Sequence, residues 1–386
     1  SSTVLSLLSD LVACPSVNPV RPGPIESPFG ETAMAALLGR LLGGWGAAIE
    51  TYEVEPGRPN VLARFAGVNP ARTLLLEAHT DTVQVDDMSI PPFTPTVRDG
   101  RLYGRGASDV KGPMAAMLAA IRRVLDEDGR LPVNVIFAGS CDEELGARGA
   151  RALARMPGMK PDVAVVAEPT DLEIVHAHKG TIRWRIRTQG VAAHSSAPER
   201  GVNAIYHMAR VLAMIEEEMI PAVREHRHPL LGSATISAGT IQGGTQVNVV
   251  PAECVLNVDR RLLPGETQDQ ATAEIRARLE ALAVRIPTLK WSLEALQFYD
   301  PFEQPTTSPA CRLVAAACEK ALGQARFAIA PWSSDAGVMA ATGMPCVLFG
   351  PGSIKQAHTH DEFIEVRELE RGVDVYAAII RQAALG

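Results

Sequence analysis

Six side chains suited to metal binding or proton transfer stand where apolar runs end in this chain. They are His79 and Asp81 in LLLEAHTDTV, Asp109 in GRGASDVKGP, Glu143 and Glu144 in FAGSCDEELGA, and Glu168 in VAVVAEPT. His358, far downstream in GPGSIKQAHTHDEF, is a further candidate. Carboxylates and imidazoles at the tips of buried strands are costly unless something compensates them. A pair of divalent cations compensates all of them at once.

The spacing around these tips predicts the fold. Residues 32–43 have helical apolar spacing, whereas 60–66, 73–79, 132–138 and 162–167 read as strands. Pro113 opens the run MAAMLAAIRRVL, with strong helix formers and a proline suited to a first helical turn. This alternation predicts an α/β class fold, an α/β/α domain with a mostly parallel mixed sheet. Ligands of such sheets gather outside the carboxyl ends of the strands, where the singled-out residues fall. Near Lys179-Gly180 the style changes: TIRWRIRTQGVAAH, SATISAGTIQGG and AECVLNVDRRLLP alternate polar and apolar, as half-solvated strands do. With the helical stretches NAIYHMARVLAMIEEEM and TQDQATAEIRARLEALAV they predict an α+β insert, helices on one face. The expected division is 1–179 and 293–386 for the α/β domain and 180–292 for the insert. PVRPGPIESP, residues 19–28, reads as a surface loop.

A chain of 386 residues is long for one core, which agrees with two domains. The net charge of −7 and the absence of Lys/Arg runs argue against a nucleic-acid partner. No apolar stretch is long enough to span a membrane, and the N-terminal segment reads as an amphipathic helix, not a signal peptide. The six cysteines form no C-x-x-C pair and read as buried free thiols, so a cytoplasmic location is expected. Cys141, beside the Glu pair, has no nearby His in sequence to activate it as a nucleophile.

Each short motif has a plain structural reading as well. His79 and Asp81 lie two apart at a strand end and share a face, so Asp81 can orient the ring and leave one nitrogen for a metal. A core His beside a turn Asp fits the same letters. Asp109 follows a glycine-rich turn and precedes a helix, so it is a bridging ligand or a helix-capping acid. Glu143 and Glu144 are neighbours, so one can ligate while the other takes a proton from a bound water; they also suit a solvated acidic loop. Glu168 is a third strand-end carboxylate. Taken together, the mixture of His and carboxylate suits Zn²⁺, with Mn²⁺ or Co²⁺ also accommodated.

Together these segments resemble the co-catalytic zinc amidohydrolases and exopeptidases, which include acetylornithine deacetylase, succinyl-diaminopimelate desuccinylase, glutamate carboxypeptidase and the aminoacylases. HTDTV, GRGASDVKGPMAA, DEELGARGA and AEPT match the metal motifs in order and spacing. AHKG, VAAHSSAPERGVNAI, GTIQGGTQVNVVPAEC and VDRRLLPG match the insert, and GPGSIKQAHTHDEF the last motif. The resemblance covers nearly the whole chain and is closest to the acetylornithine deacetylase branch.

The resemblance implies two divalent metal ions. His79 and Glu168 hold one, Glu144 and His358 the other, and Asp109 bridges them, with a cis peptide after it. It makes Glu143 the general base, Asp81 the support of His79, and His194 a donor to the oxyanion in a partner subunit's site. Asn248, Arg260, Gly350 and Gly352 match substrate-binding positions, although a structural ion pair suits Arg260 as well. His360 stands where relatives often carry a residue such as Pro; the motif favours His358 as the ligand. His176, His178, His207, His226 and His228 receive no role. The expected activity is hydrolysis of the amide of a small N-acyl amino acid by a homodimer, first of all deacetylation of N-acetylornithine. A desuccinylase, a carboxypeptidase-like exopeptidase and a non-catalytic binding relative are the alternatives.

Overall fold

The computed structural model describes residues 3–20 and 25–384, so the Pro-rich stretch 19–28 lies partly outside the described residues. The chain divides into two compact units. The first comprises residues up to His176, Glu303–Ile329 and Ser334 onward; the second comprises Ala177–Phe302 and Ala330–Ser333.

The first unit is built on a mixed sheet. Its centre is parallel, in the order Val133–Ser140, Asn69–His79, Val163–Ala167 and Cys346–Phe349. Antiparallel strands Arg58–Phe65 and Ala48–Glu55 extend one side. Alternate strand residues face opposite ways. Val61, Leu74, Leu76, Val135, Phe137, Val165 and Phe349 join one core with helices Thr3–Ala13, Thr32–Gly44, Lys111–Asp128, Pro309–Leu322 and Val366–Gln382. The intervening Leu62, Leu75, Ile136, Ala164 and Leu348 are buried too. Helices Arg148–Ala154 and Asp335–Ala340 pack against each other and the sheet apart from that core. Burial of both strand surfaces explains why the central strands read as continuous apolar runs. Pro113 occupies the first turn of its helix, as its fixed φ favours.

The second unit is a four-stranded antiparallel sheet in the order Thr235–Gly243, Glu253–Leu262, Gly180–Gln189, Lys290–Tyr299. The last pairing carries this unit past residue 292 to Phe302. Ile182, Trp184, Ile186, Leu256 and Val258 pack with Met208 and Val211 of helix Ala204–Met214 and Ile275 and Leu279 of helix Gln268–Arg285. On the other face of strand Gly180–Gln189, Arg183 is exposed and Arg185 and Arg187 are only partly covered. The long helix begins at a capping box formed by Thr267 and Gln270. Among the described residues no helix is long and apolar enough to cross a membrane. All six cysteines are free thiols, and five of them are buried.

Three strands carried no apolar signature in sequence. Thr96–Arg98, Arg101–Tyr103 and Phe363–Glu365 are three residues each and form a small antiparallel sheet that joins distant segments.

The loop after Val133–Ser140 is clamped by Gly149. A Cβ there would meet the Cys141 backbone N and O at 2.4 Å, and backbone cannot move aside as a flexible side chain can. Gly149→Ala is expected to lower unfolding stability by about 1–3 kcal/mol, measured by chemical denaturation. An unchanged midpoint would show that the loop yields freely.

Candidate metal centre

The carboxyl ends of the parallel strands bring the strand-end residues together. His79 ends Asn69–His79, Glu168 follows Val163–Ala167, and Glu143 and Glu144 follow Val133–Ser140. His79, Asp81, Asp109, Glu143 and Glu168 are all buried. Ligand atoms of His79, Asp109 and Glu144 lie within 4.8 Å of one another. His79 Nε2 is 3.1 Å from Asp109 Oδ1. His358 Nε2 is 3.1 Å from Glu144 Oε2 and 3.4 Å from Asp109 Oδ2. Asp109 thus faces one imidazole with each oxygen. The Asp109–Val110 peptide is cis, as the resemblance implied.

Asp81 works through both its backbone and its side chain. His79 Nδ1 lies 3.0 Å from the Asp81 carbonyl and 3.6 Å from its carboxylate, so the carbonyl is the nearer partner. Asp81 Oδ1 accepts the Glu143 N–H at 3.0 Å, and Oδ2 accepts the Glu144 N–H at 3.1 Å. Asn18 Nδ2 adds a bond of 2.7 Å to Oδ2 and one of 3.2 Å to Asp142. Behind them Arg58 is buried between Glu31 and Asp142. Arg148 reaches Asp142 from the outer side. The sequence did not reveal this support: the partners lie far apart in the chain, and Glu31, Arg58 and Asn18 stand in no recognisable motif.

The electrostatics record crowded negative charge. Burial pushes Glu144 up to about 7, and the Asp109 charge adds to the effect. Burial also holds Glu143 and Glu168 well above the ordinary carboxylate range, with the charge of His79 opposing it. For His79 burial favours the neutral ring, but its hydrogen bonds to Asp109 and Asp81 outweigh that and hold the pKa well above its usual value. Asp109 and Glu144 raise His358 to about 10. Burial opposes ionisation of Asp109, yet the two imidazoles hold its carboxyl below the usual range. Glu144 Oε1 is buried without a hydrogen-bond partner. A buried cluster in which carboxylates crowd two imidazoles, with an orphaned oxygen in it, is a donor set that divalent cations fit.

The remaining candidates are placed less simply. Gly350 and Gly352 border the cluster, and their own N–H groups are already donated to Thr170 Oγ1 and Glu368 Oε1. What they require is space: a Cβ on Gly350 would meet the Glu168 carbonyl at 2.4 Å, and one on Gly352 the Ser108 hydroxyl at 2.7 Å. His194, Asn248 and Arg260 belong to the second unit. His194 is exposed, with Nδ1 2.7 Å from Ser196 Oγ, and Ser195 N–H donates to the Asn248 carbonyl at 3.0 Å. Those two segments are therefore neighbours. Arg260 is buried, its Nη atoms on Glu266 at 2.7 Å and Glu274 at 3.2 Å. A substrate carboxylate would have to displace them.

Comparison with known proteins agrees with this architecture. The model of peptidase family M20/M25/M40 matches residues 75–382. The chain is 32% identical to an acetylornithine deacetylase of Proteus mirabilis, over 99% of this chain and 97% of that one. It is 32% identical to an acetylornithine deacetylase of Vibrio campbellii, over 86% of each chain. Its fold is similar to that of an M20 family metallo-carboxypeptidase from Sulfolobus solfataricus, with a TM-score of 0.83, 19% identity and all of both chains covered. The chain belongs to peptidase family M20/M25/M40 and is a hydrolase acting on amide bonds.

Proposed function

We propose that the protein hydrolyses the amide bond of a small N-acylated amino acid, with N-acetylornithine the first substrate to test. The observation that carries this reading is the convergence of His79, Asp109, Glu144 and His358, with buried Glu143 and Glu168 beside them. The deacetylase relatives support the acyl amino acid as substrate class.

In this reading His79 and Glu168 would hold one ion, Glu144 and His358 would hold a second, and Asp109 would contribute to both; Zn²⁺ suits this donor set best. Such ions acidify water and polarise a carbonyl oxygen. Glu143 accepts the proton of the attacking water and returns it to the leaving amine. Its backbone N–H is fixed on the Asp81 carboxylate and its side chain is buried, which supports a role beside the ligands. His194 donates to the developing oxyanion. It is proposed to act in the site of a second copy of the chain. The strand Thr235–Gly243, at an edge of its sheet, and the exposed Tyr206 and Val247 support an interface on the second unit.

A panel of N-acetyl and N-succinyl amino acids and dipeptides, assayed with Zn²⁺ or Co²⁺, tests the substrate. N-acetyl amino acids are expected to turn over fastest; a preference for another class overturns the choice. In the same assay Glu143→Ala should lower kcat on the order of 10²–10⁴-fold with its metal content intact. Loss of the metal in that variant would make Glu143 a ligand instead.

His358 and His360 separate cleanly. His360 Nδ1 lies 2.7 Å from the Asp87 carbonyl, whereas His358 faces Glu144 and Asp109. His358→Ala is therefore expected to lower metal content by elemental analysis, and His360→Ala to leave it unchanged. The opposite pattern would shift the ligand by two positions.

Glu143→Ala and His194→Ala homodimers should each be nearly inactive. Refolded together, they should regain part of the activity, because one site of a mixed dimer joins an intact Glu143 to an intact His194. Mixed dimers recovered by two tags but without activity would confine His194 to its own chain.

A further inference from the structure

His79 and Glu168 sit at the ends of neighbouring strands, and the ladder between those strands fixes their spacing. Asp109 and His358 lack that support. Asp109 follows an irregular turn, and His358 lies in a loop with its φ at 62°. One carboxylate serves both segments. Glu362, fully buried, accepts the Ser108 and Asp109 N–H groups on Oε1, each at 2.9 Å. Its Oε2 accepts the Gly106 N–H at 2.9 Å and Arg105 Nη1 at 3.0 Å. Its carbonyl accepts the Gly104 N–H at 3.0 Å. Arg105 Nη1 also reaches the carbonyl of Thr359, the residue after His358, at 3.2 Å.

Four donors use the acceptor sites of a carboxylate in full. Three of them are backbone groups of the turn that ends in Asp109, those of Gly106, Ser108 and Asp109, so the turn is moulded on Glu362. No oxygen of Glu362 is left for a metal or a substrate. A buried polar group this completely satisfied rigidifies what it binds.

We propose that Glu362 is a positioning residue for the metal centre, holding the Asp109 turn and the His358 loop in register. This rests on the metal reading proposed above. The ions then depend on a residue that touches neither of them, as ligand-orienting partners commonly behave.

The test is metal affinity, read by titrating the metal-free protein with Zn²⁺ against a chromophoric chelator. The wild-type chain is expected to take up two ions. Glu362→Gln replaces one acceptor oxygen by an NH₂ group facing N–H donors, and is expected to weaken binding about 10- to 100-fold. Glu362→Asp keeps the charge but falls one methylene short, and should retain part of the affinity. Arg101→Ala is the control: it removes the 2.7 Å ion pair with Glu365 from the same strand pair without touching the turn. It should bind as the wild type does. Wild-type affinity in Glu362→Gln, or an equal loss in Arg101→Ala, overturns the proposal. Where the Gln variant does not fold, wild-type affinity in Glu362→Asp overturns it. A wild-type chain that binds no ion overturns the metal reading and this inference with it. Two ions in the wild type with no loss in the variants sinks the inference alone.

Discussion

Everything around the site answers one constraint: many carboxylates are buried within a small region at one edge of a sheet. Burial resists each charge, and each charge resists its neighbours. The protein offsets part of this with its own groups. Glu31 and Asp142 take Arg58, Asp81 takes two backbone N–H groups and Asn18, and Glu362 takes three N–H groups and Arg105. Burial keeps Glu143, Glu144 and Glu168 raised, and Glu144 leaves an oxygen unmet. Glu31 and Glu362 stay raised as well despite their partners, so what separates carboxylates that build from those suited to a cation is how fully their oxygens are met.

Asp81 shows how the two sets are joined. Its carbonyl orients His79, and its carboxylate holds the peptide groups of Glu143 and Glu144. One residue thus sets the direction of an imidazole, a carboxylate suited to ligation and one suited to proton transfer. The geometry needs short reach: His79 and Asp81 are adjacent to one strand end, and the Glu pair follows the next strand over. The parallel register His79↔Ser140 is what makes that reach possible.

The legible part of the sequence was the part governed by local pattern. Apolar runs ended by His, Asp or Glu exposed the sheet, its carboxyl edge and the ligand candidates, because a strand buried on both faces writes its burial into consecutive residues. AIETYEVE did not read as a strand because it lies at the edge of the sheet, with most of its residues exposed. Phe363–Glu365 did not because three residues carry no period, and its partner Arg101–Tyr103 is far away in the chain. Glu362 was invisible for the same reason: in HTHDEF it looks like any surface acid, and only the folded turn supplies its donors.

Chemistry and selectivity are therefore written differently in this chain. Most of the groups proposed to bind cations and move protons, His79, Glu143, Glu144 and Glu168, come from strand ends, where backbone ladders leave little freedom, so residue type and position together announce them. The groups proposed to meet the substrate come from loops and from the second unit, where backbone geometry is set by contacts that no short window contains. Arg260 makes the point: its sequence context suits a carboxylate clamp, yet Glu266 and Glu274 already occupy its guanidinium. Asn248 makes the converse point, exposed beside the His194 segment with no apolar pattern to mark it. A sequence of this kind announces that an amide is cleaved well before it announces which one.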